Sequence, residues 1–321
     1  ARQPPPDYSF DIRSLRDPGS SLQHCTMQHL SSIEIKQKAE QPLSAMEIKQ
    51  KAEHKGVVDI VKKIKGKFPG VLPVEEALKV TQQLFQKHGF TPKSCLLAAS
   101  TCSDEINRVV DRFSDVWGEC FNLGGLAGLP FTGKSGFNAL SHHIPDNGQL
   151  LILFAPHIGV TKTGEVGMIM RRGMKESTTA CGSCMAAYEA AISRSVITKD
   201  DPDELIGDRQ QTIINKIVKS FLPRIEKERE DALVCVANMM YETIKKEILK
   251  IIPNDFKYSV GLIGGIHVNT DHGDNENTTS DFFVIKDLML RKGSSKSPRF
   301  RELGTYIETH IKDTYDASDR N

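Results

Sequence analysis

The chain has few of the features that mark membrane or nucleic-acid-binding proteins. Its longest apolar stretches, "QLLILFAPHIGV" and "DALVCVANMMY", are shorter than the roughly 18–20 residues that a transmembrane helix needs. No membrane span is therefore predicted, and we expect a soluble protein. Opposite charges almost cancel, because 42 Lys and Arg face 41 Asp and Glu. A net charge of +1 provides no general attraction to nucleic acid or to an anionic membrane.

Cysteine is present, but not in the pattern of a secreted disulfide framework. The seven cysteines are odd in number and widely spaced over 321 residues, whereas small disulfide-rich proteins carry an even, closely spaced set. Reduced thiols, some of them metal ligands, are the better hypothesis. The chain starts at "ARQPPPDY" without methionine, which indicates a processed or trimmed end and is compatible with a removed targeting peptide.

The sequence divides into three parts. Residues 1–55 are predicted to be an irregular and helical extension, in which "EIKQKAE" occurs at 34–40 and again at 47–53. These strong helix formers predict two exposed helical turns left by a local duplication, with partner docking as the alternative. Residues 56–291 are predicted to form one globular domain, and residues 292–321 a tail with a short final helix.

Strands and helices alternate in the globular part. Strands are predicted at "SCLLAAST", "GQLLILFAPHIG", "KYSVGLIGGIHVNTD" and "SDFFVIKDLML". Helices are predicted at "PVEEALKVTQQLFQKHG", at "SDEINRVVDRFSDVWGECF" with Ser103 as its N-cap, at "CGSCMAAYEAAIS", and over a long stretch that is broken near Pro223. This alternation predicts an α/β fold with a central, mainly parallel sheet and helices on both faces.

Three potential zinc ligands lie where predicted strands end or a helix begins. Cys102 follows "LLAAST", His157 follows "LLILFAP", and Cys181 begins a helix. Ligands of open α/β sheets bind at the carboxyl ends of the strands, so we expect these side chains there. Two thiolates and one imidazole suit Zn²⁺ and leave a fourth position for water, as in catalytic zinc sites. A lone histidine after a strand is more often a core residue, and the residues alone leave that alternative open.

Two other motifs suggest different functions but lack the required context. "GLPFTGKS" at 128–135 matches the phosphate-binding pattern G-x-x-x-x-G-K-S, yet no buried strand directly precedes it and no suitable aspartate follows "LLILFAP". A glycine-rich loop that lines a small anion pocket is the preferred interpretation. "CGSC" at 181–184 resembles a thiol–disulfide motif, but it lies beyond the middle of the chain. If Cys181 binds a metal, Cys184 is interpreted as a small residue packed on its helix.

Five motifs occur in a fixed order between about residues 60 and 290: "CSDEINR", "FNLGGLAGLPFTGKSGFNALSHHIPDNG", "FAPHIG", "ACGSC" and "LIGGIHVNT". Together they resemble the limiting-CO2-inducible protein B family of algae and diatoms, also described as theta-class carbonic anhydrases. The resemblance implies a beta-carbonic-anhydrase-like α/β fold, a homodimer and a chloroplast location. It also implies that one zinc ion is held by Cys102, His157 and Cys181.

The activity implied by this resemblance is that of a lyase, the reversible hydration of CO2 to bicarbonate in a CO2-concentrating mechanism. Asp104 would orient the nucleophile, and Arg108, four residues later, would pair with it. The beta class differs, because its arginine follows the aspartate by two residues. Zinc lowers the pKa of bound water to about 7, a value that was established for a carbonic anhydrase itself. The alternative is a non-catalytic, zinc-containing member that senses bicarbonate or CO2 or serves in assembly.

Four further residues are predicted to lie near the reaction centre. Phe131 and Phe137 are expected to offer an apolar wall to CO2. His142 or His143 could relay a proton to buffer, because histidine titrates near neutral pH, although a structural role is the alternative for both. His267, in "GGIHVNT", is predicted to line the core or the pocket and not to bind the metal.

Overall fold

A computed structural model of the chain describes residues 60–194, 208–271, 281–293 and 299–304. These residues belong to one compact unit. No helix among them is long and apolar enough to cross a membrane. The two copies of "EIKQKAE" and the predicted final helix lie outside the described residues.

The strands and helices follow the predicted alternation. The strands are β1 Val71–Pro73, β2 Cys95–Thr101, β3 Cys120–Asn122, β4 Gln149–Ala155, β5 His157–Val160, β6 Met168–Ile169, β7 Thr178–Thr179, β8 Ser259–Thr270, β9 Phe282–Arg291 and β10 Arg301–Glu302. The helices are α1 60–67, α2 Val74–Lys87, α3 Val109–Trp117, α4 Gly133–Ser141, α5 Gly182–Ile192, α6 Arg209–Ser220, α7 Leu222–Lys227 and α8 Ala232–Ile251. Short 3₁₀ turns cover Leu126–Gly128 and Arg229–Asp231.

One mixed sheet forms the centre of the fold, with strand order β1-β9-β8-β4-β2-β3. β3, β2, β4 and β8 are parallel neighbours, and β5 continues beyond β4 as a parallel partner of β8. β1 and β10 pair with β9, and β9 with β8, all antiparallel, so the antiparallel pairs lie on one side of the sheet. This arrangement confirms the predicted α/β fold with a central, mainly parallel sheet.

Both faces of the sheet are buried, as expected for parallel strands covered by helices. Along β4, Leu150 and Ile152 enter one apolar core, while Leu151 and Leu153 enter the other. Residues of α4, α5, α6 and α8 complete the first core, and residues of α2 and α3 complete the second. The central strands therefore read as continuous apolar runs, which is why the sequence predicts them clearly.

The helix predicted from Ser103 begins only at Val109. The residues before it form a turn, in which the backbone N–H of Asn107 donates to the Asp104 carbonyl at 3.0 Å. The Asp104 side chain also bonds to the backbone of this turn: its Oδ1 accepts from the Ile106 N–H at 3.3 Å. Aspartate and asparagine side chains compete in this way with helical hydrogen bonds, which explains why the helix starts late.

Proline and glycine mark three further boundaries. Gly118 has a φ of 92°, which ends α3, so the "CF" that was assigned to that helix belongs to β3 instead. Pro156 separates β4 from β5 within the single strand that was predicted. The expected break near Pro223 is confirmed, since α6 ends at Ser220 and the proline lies in the first turn of α7.

Candidate metal centre

Three side chains converge at the carboxyl end of the parallel strands. Cys102 directly follows β2, His157 opens β5 after the end of β4, and Cys181 is the extended N-cap residue of α5. The Sγ atoms of Cys102 and Cys181 are 3.7 Å apart. The ligand atoms of all three residues lie within 4.8 Å of one another, and all three residues are buried. The predicted ligand set is therefore assembled by the fold.

The donor geometry fits a tetrahedral zinc ion. Two sulfur ligands at about 2.3 Å from zinc are about 3.8 Å apart in a tetrahedral site, close to the observed separation. His157 Nε2 is buried and has no hydrogen-bond partner among the described residues, although buried polar atoms are normally paired. An unpaired nitrogen beside two thiols is what a ligand position requires. Three ligands would leave one coordination position for water or substrate.

Asn269 fixes the tautomer of His157. The Asn269 Nδ2 group donates to the Ile106 carbonyl at 3.0 Å, which turns its Oδ1 towards the imidazole. His157 Nδ1 lies 2.8 Å from that oxygen and must carry the proton that it donates. Nε2 therefore keeps its lone pair and points towards the thiols. Metal-binding histidines are commonly oriented by a second hydrogen bond of this kind.

In the metal-free protein both thiols favour the protonated form. The pKa of Cys102 is raised above its usual range because its thiol shares a hydrogen bond with Cys181 and is buried. The bond with Cys102 lowers the pKa of Cys181, but contact with Cys184 and burial outweigh it, so that pKa is raised as well. Metal binding at this centre must therefore release protons, and affinity should increase with pH.

A carboxylate next to the ligands is held by a two-pronged arginine contact. Asp104 Oδ2 is 3.7 Å from His157 Nε2. Arg171 donates from Nη1 to Asp104 Oδ1 at 2.8 Å and from Nη2 to Oδ2 at 3.0 Å. Burial alone would raise the pKa of Asp104, but the Arg171 hydrogen bonds help to outweigh it and lower the pKa to about 2. Asp104 is consequently an ionised acceptor beside the candidate ligand His157.

Arg171 is itself fixed in position by its neighbours. Its Nε donates to Thr178 Oγ1 at 2.8 Å, and Nη2 donates to the Thr179 carbonyl at 3.0 Å. Nη1 also contacts the Glu105 carboxylate. Because the guanidinium is anchored to the short β6–β7 ribbon, it presents a rigid fork to Asp104.

The predicted pairing of Asp104 with Arg108 is not formed and must be corrected. The Arg108 side chain is 73% exposed and contacts Asp111 on its own helix. The i,i+4 argument fails because Asp104 lies in the turn before α3, and not one helical turn away from Arg108. Arg171 lies 67 residues after Asp104, in "MRRGMKES", where no periodic pattern marks it. The sequence did give one warning: Arg108 follows Asp104 by four residues, whereas the arginine of the beta class follows its aspartate by two.

Of the four residues predicted to line the pocket or relay a proton, three line two other grooves of the protein and the fourth contacts a phenylalanine ring. Phe137 and His142 line a groove of about 680 Å³ beside the C-terminal end of α8. Phe131 lines another groove of about 530 Å³, and the His143 ring contacts Phe121. The candidate ligands His157 and Cys181 lie near the other end of this helix of 20 residues, where they border a cavity of about 10 Å³ with Leu233, Val236 and Cys184. None of these four residues lines that small cavity.

The phosphate-loop pattern also lacks its structural context. The strand before it, β3, has three residues and lies at the sheet edge. A 3₁₀ turn follows, and Lys134 lines the same groove as Phe137. A phosphate loop requires a buried strand that leads directly into the glycines, so this region differs from one.

The fold and the buried thiol–imidazole cluster together define a beta-carbonic-anhydrase-like α/β protein with a potential metal centre. The family model described as "Limiting CO2-inducible proteins B/C beta carbonic anhydrases" matches residues 71–292, and the chain belongs to this family.

Solved structures agree with this assignment. The chain is similar to PtLCIB4, a homolog of the limiting CO2-inducible protein LCIB, with 30% identity over 75% of this chain and 98% of that chain and a TM-score of 0.67. It is also similar to LCIB, with 17% identity over 74% of this chain and 96% of that chain and a TM-score of 0.53, a likeness of fold alone. Among curated proteins no match was found.

Proposed function

We infer that the chain is a zinc-dependent carbonic anhydrase that catalyses the reversible hydration of CO2 to bicarbonate. The observation that carries this proposal is the convergence of Cys102, His157 and Cys181, buried and within 4.8 Å of one another. An ionised carboxylate beside them and membership in a carbonic-anhydrase family support it. The resemblance also supports a homodimer that serves a CO2-concentrating mechanism in a chloroplast.

The two cysteines and the histidine would hold the ion. When bound, zinc would supply Lewis acidity and a water whose pKa is lowered to about 7, as known for a carbonic anhydrase with a different ligand set. The thiolates would offset the charge of the cation, and Asn269 would keep the imidazole aligned. The remaining chemistry depends on the chain's own groups.

Asp104 would orient the reacting water. An ionised carboxylate accepts hydrogen bonds and cannot donate them, so the water must direct an O–H towards Asp104 Oδ2. Its lone pair is then free to face an incoming CO2 molecule. Arg171 maintains this state by holding both carboxylate oxygens, so that Asp104 stays ionised and does not turn towards the ligands. Correct placement of reactants in this way contributes much of an enzyme's rate.

Metal analysis combined with stopped-flow CO2 hydration tests the proposal. Purified protein should contain one zinc per chain and hydrate CO2 faster than buffer, and His157→Ala should lose both properties. Cys235→Ser is a matched control, because this buried thiol contacts Met239 and lies outside the ligand cluster. Zinc at one per chain without hydration would contradict catalysis and favour the sensing or assembly member.

A further inference from the structure

A second buried histidine lies beside the ligand histidine. β5 and β8 are parallel neighbours, and His157 is the register partner of His267. Partners on adjacent strands project from the same face of a sheet, and so does Asn269, two residues beyond His267. His267 is fully buried. The proposed reaction uses the first histidine and its asparagine but assigns nothing to the second.

His267 is linked to the backbone of a metal ligand through Asn107. Asn107 Nδ2 donates to the Cys102 carbonyl at 3.1 Å, which turns Oδ1 towards His267. His267 Nδ1 lies 2.6 Å from that oxygen and therefore donates to it. Two hydrogen bonds therefore connect His267 to Cys102: His267 donates to Asn107, and Asn107 donates to the Cys102 carbonyl.

The turn before α3 is thus bound to β8 at two points. Asn107 is held by His267, and the carbonyl of Ile106 accepts from Asn269 at 3.0 Å. The same Asn269 holds the imidazole of His157. One face of β8 therefore sets the relative placement of the turn that carries Cys102 and of the ligand histidine.

A single carboxylate lies against both of these β8 residues. Asp281 Oδ2 is 3.3 Å from His267 Nε2, and Asp281 Oδ1 is 3.5 Å from Asn269 Nδ2. Burying polar groups costs free energy unless they are paired, and apolar side chains would fill the same space without that cost. This polar cluster of His267, Asn269 and Asp281 is therefore better explained by a role in positioning its neighbours than by packing.

We propose that His267 is a positioning residue for the metal centre. Acting through Asn107, it fixes the Cys102 backbone so that the thiol faces the other ligands. The proposal rests on the proposed zinc site, but it makes no use of CO2 hydration. Partners in the outer shell of metal sites typically change metal affinity by 10–100-fold when they are removed.

Paired substitutions at His267 separate positioning from packing. His267→Phe keeps a ring but cannot donate, and it should weaken zinc binding by about 10–100-fold in competition with a chromophoric chelator. His267→Asn places an amide donor near the position of Nδ1 and should recover most of this loss, although it leaves a larger void. In the cobalt-substituted protein the visible ligand-field bands should shift in His267→Phe and return in His267→Asn.

Two further variants complete the test. Ile266→Val removes a methyl group from a fully buried neighbour on the opposite face of β8, and it should lower stability without changing zinc affinity. Asn107→Asp retains the acceptor for His267 but cannot donate to the Cys102 carbonyl, so it should weaken zinc binding as His267→Phe does. The double variant should lose little more than either single one, because both break one path.

The proposal would be overturned by wild-type zinc affinity in folded His267→Phe. Equal losses in His267→Phe and His267→Asn would overturn it too, because they would point to packing. If His267→Phe does not fold, Asn107→Asp decides the question, and unchanged zinc affinity there removes the proposed role. If the variants change zinc affinity as expected but the wild-type protein does not hydrate CO2, the proposed function is contradicted and the positioning role of His267 stands.

Discussion

Arg171→Ala is the substitution that most directly probes how the site is organised. It removes the two hydrogen bonds, 2.8 and 3.0 Å long, that hold the carboxylate of Asp104. Oδ2 of that carboxylate is 3.7 Å from His157 Nε2, so a small rotation brings it among the ligands. Aspartate binds zinc at about 2.0–2.2 Å, and a freed Asp104 would therefore occupy the position that water needs.

The energetic cost can be estimated from the carboxyl group. Its pKa falls from 3.8 to about 2, because Arg171 helps to outweigh burial, which acts to raise it. This fall corresponds to about 2 kcal/mol, which solvent screening at the rim reduces to about 1–2 kcal/mol. Since the folded pKa is lowered, the stabilisation is complete above pH 3.8 and is lost as the pH falls towards 2. Arg171→Ala should therefore unfold more easily at neutral pH, and its difference from wild type should shrink in acid.

The assays are zinc analysis, urea unfolding and stopped-flow CO2 hydration. Arg171→Ala should keep one zinc per chain and lose about 1–2 kcal/mol of stability. Hydration should fall by about 10–100-fold. Arg171→Lys should be intermediate, because an ammonium supplies charge without a two-pronged contact.

Arg108→Ala is the matched control, because it removes the same side chain from an exposed position where it pairs with Asp111 and not with Asp104. It should keep wild-type hydration and zinc content. A near-normal rate in Arg171→Ala, or an equal loss in Arg108→Ala, would refute the role assigned to the Asp104–Arg171 pair.

Three further predictions follow from the same geometry. Cys181→Ser should abolish zinc binding in metal analysis and Cys184→Ser should keep it, because Cys181 Sγ lies 3.7 Å from Cys102 Sγ; the reverse pattern would change the ligand assignment. Neither wild type nor Lys134→Ala should bind ATP in calorimetry, and micromolar binding that disappears in the variant would contradict the exclusion of a phosphate loop. Burial raises the pKa of Cys95 from 9.0 to about 12, so urea titrations should show stability that is full below pH 9 and declines above it. Cys95→Ala should weaken this alkaline decline, and an unchanged slope would contradict the assignment.

The central sheet could be predicted because its signals are local. "CLLAAST" and "QLLILFA" are apolar throughout, as strands buried on both faces must be, and they became β2 and β4. The same reasoning indicated where candidate ligands would lie, because parallel strands end at one edge of a sheet, and the family resemblance then implied the full set. Cys102 lies there because it directly follows β2, and His157 because only Pro156 separates it from the end of β4.

The carboxylate's partner could not be predicted, because it depends on tertiary contacts. Arg171 is held by the β6–β7 ribbon, whose strands have two residues each and no periodic pattern. The late start of α3 has a similar origin, since Asn269 and Asn107 hold the preceding turn by side-chain hydrogen bonds. No local sequence rule indicates which distant side chain will bind a turn.

Phe137, one of the two rings expected in an aromatic wall, lies in another part of the fold. α4 carries Phe137 and packs near the C-terminal end of α8, where this ring contacts Phe256. The ligands lie near the opposite end of a helix that is about 30 Å long. The motif order in the sequence does not reveal which end of a long helix a neighbouring segment contacts.

X-ray absorption at the zinc edge of the purified full chain tests the central claim most directly. The account predicts two sulfur scatterers at about 2.3 Å, from Cys102 and Cys181, and two nitrogen or oxygen scatterers at about 2.0–2.1 Å, from His157 and one exchangeable water. Three sulfurs would contradict it, because Cys184 would then close the site and leave no position for a reacting water.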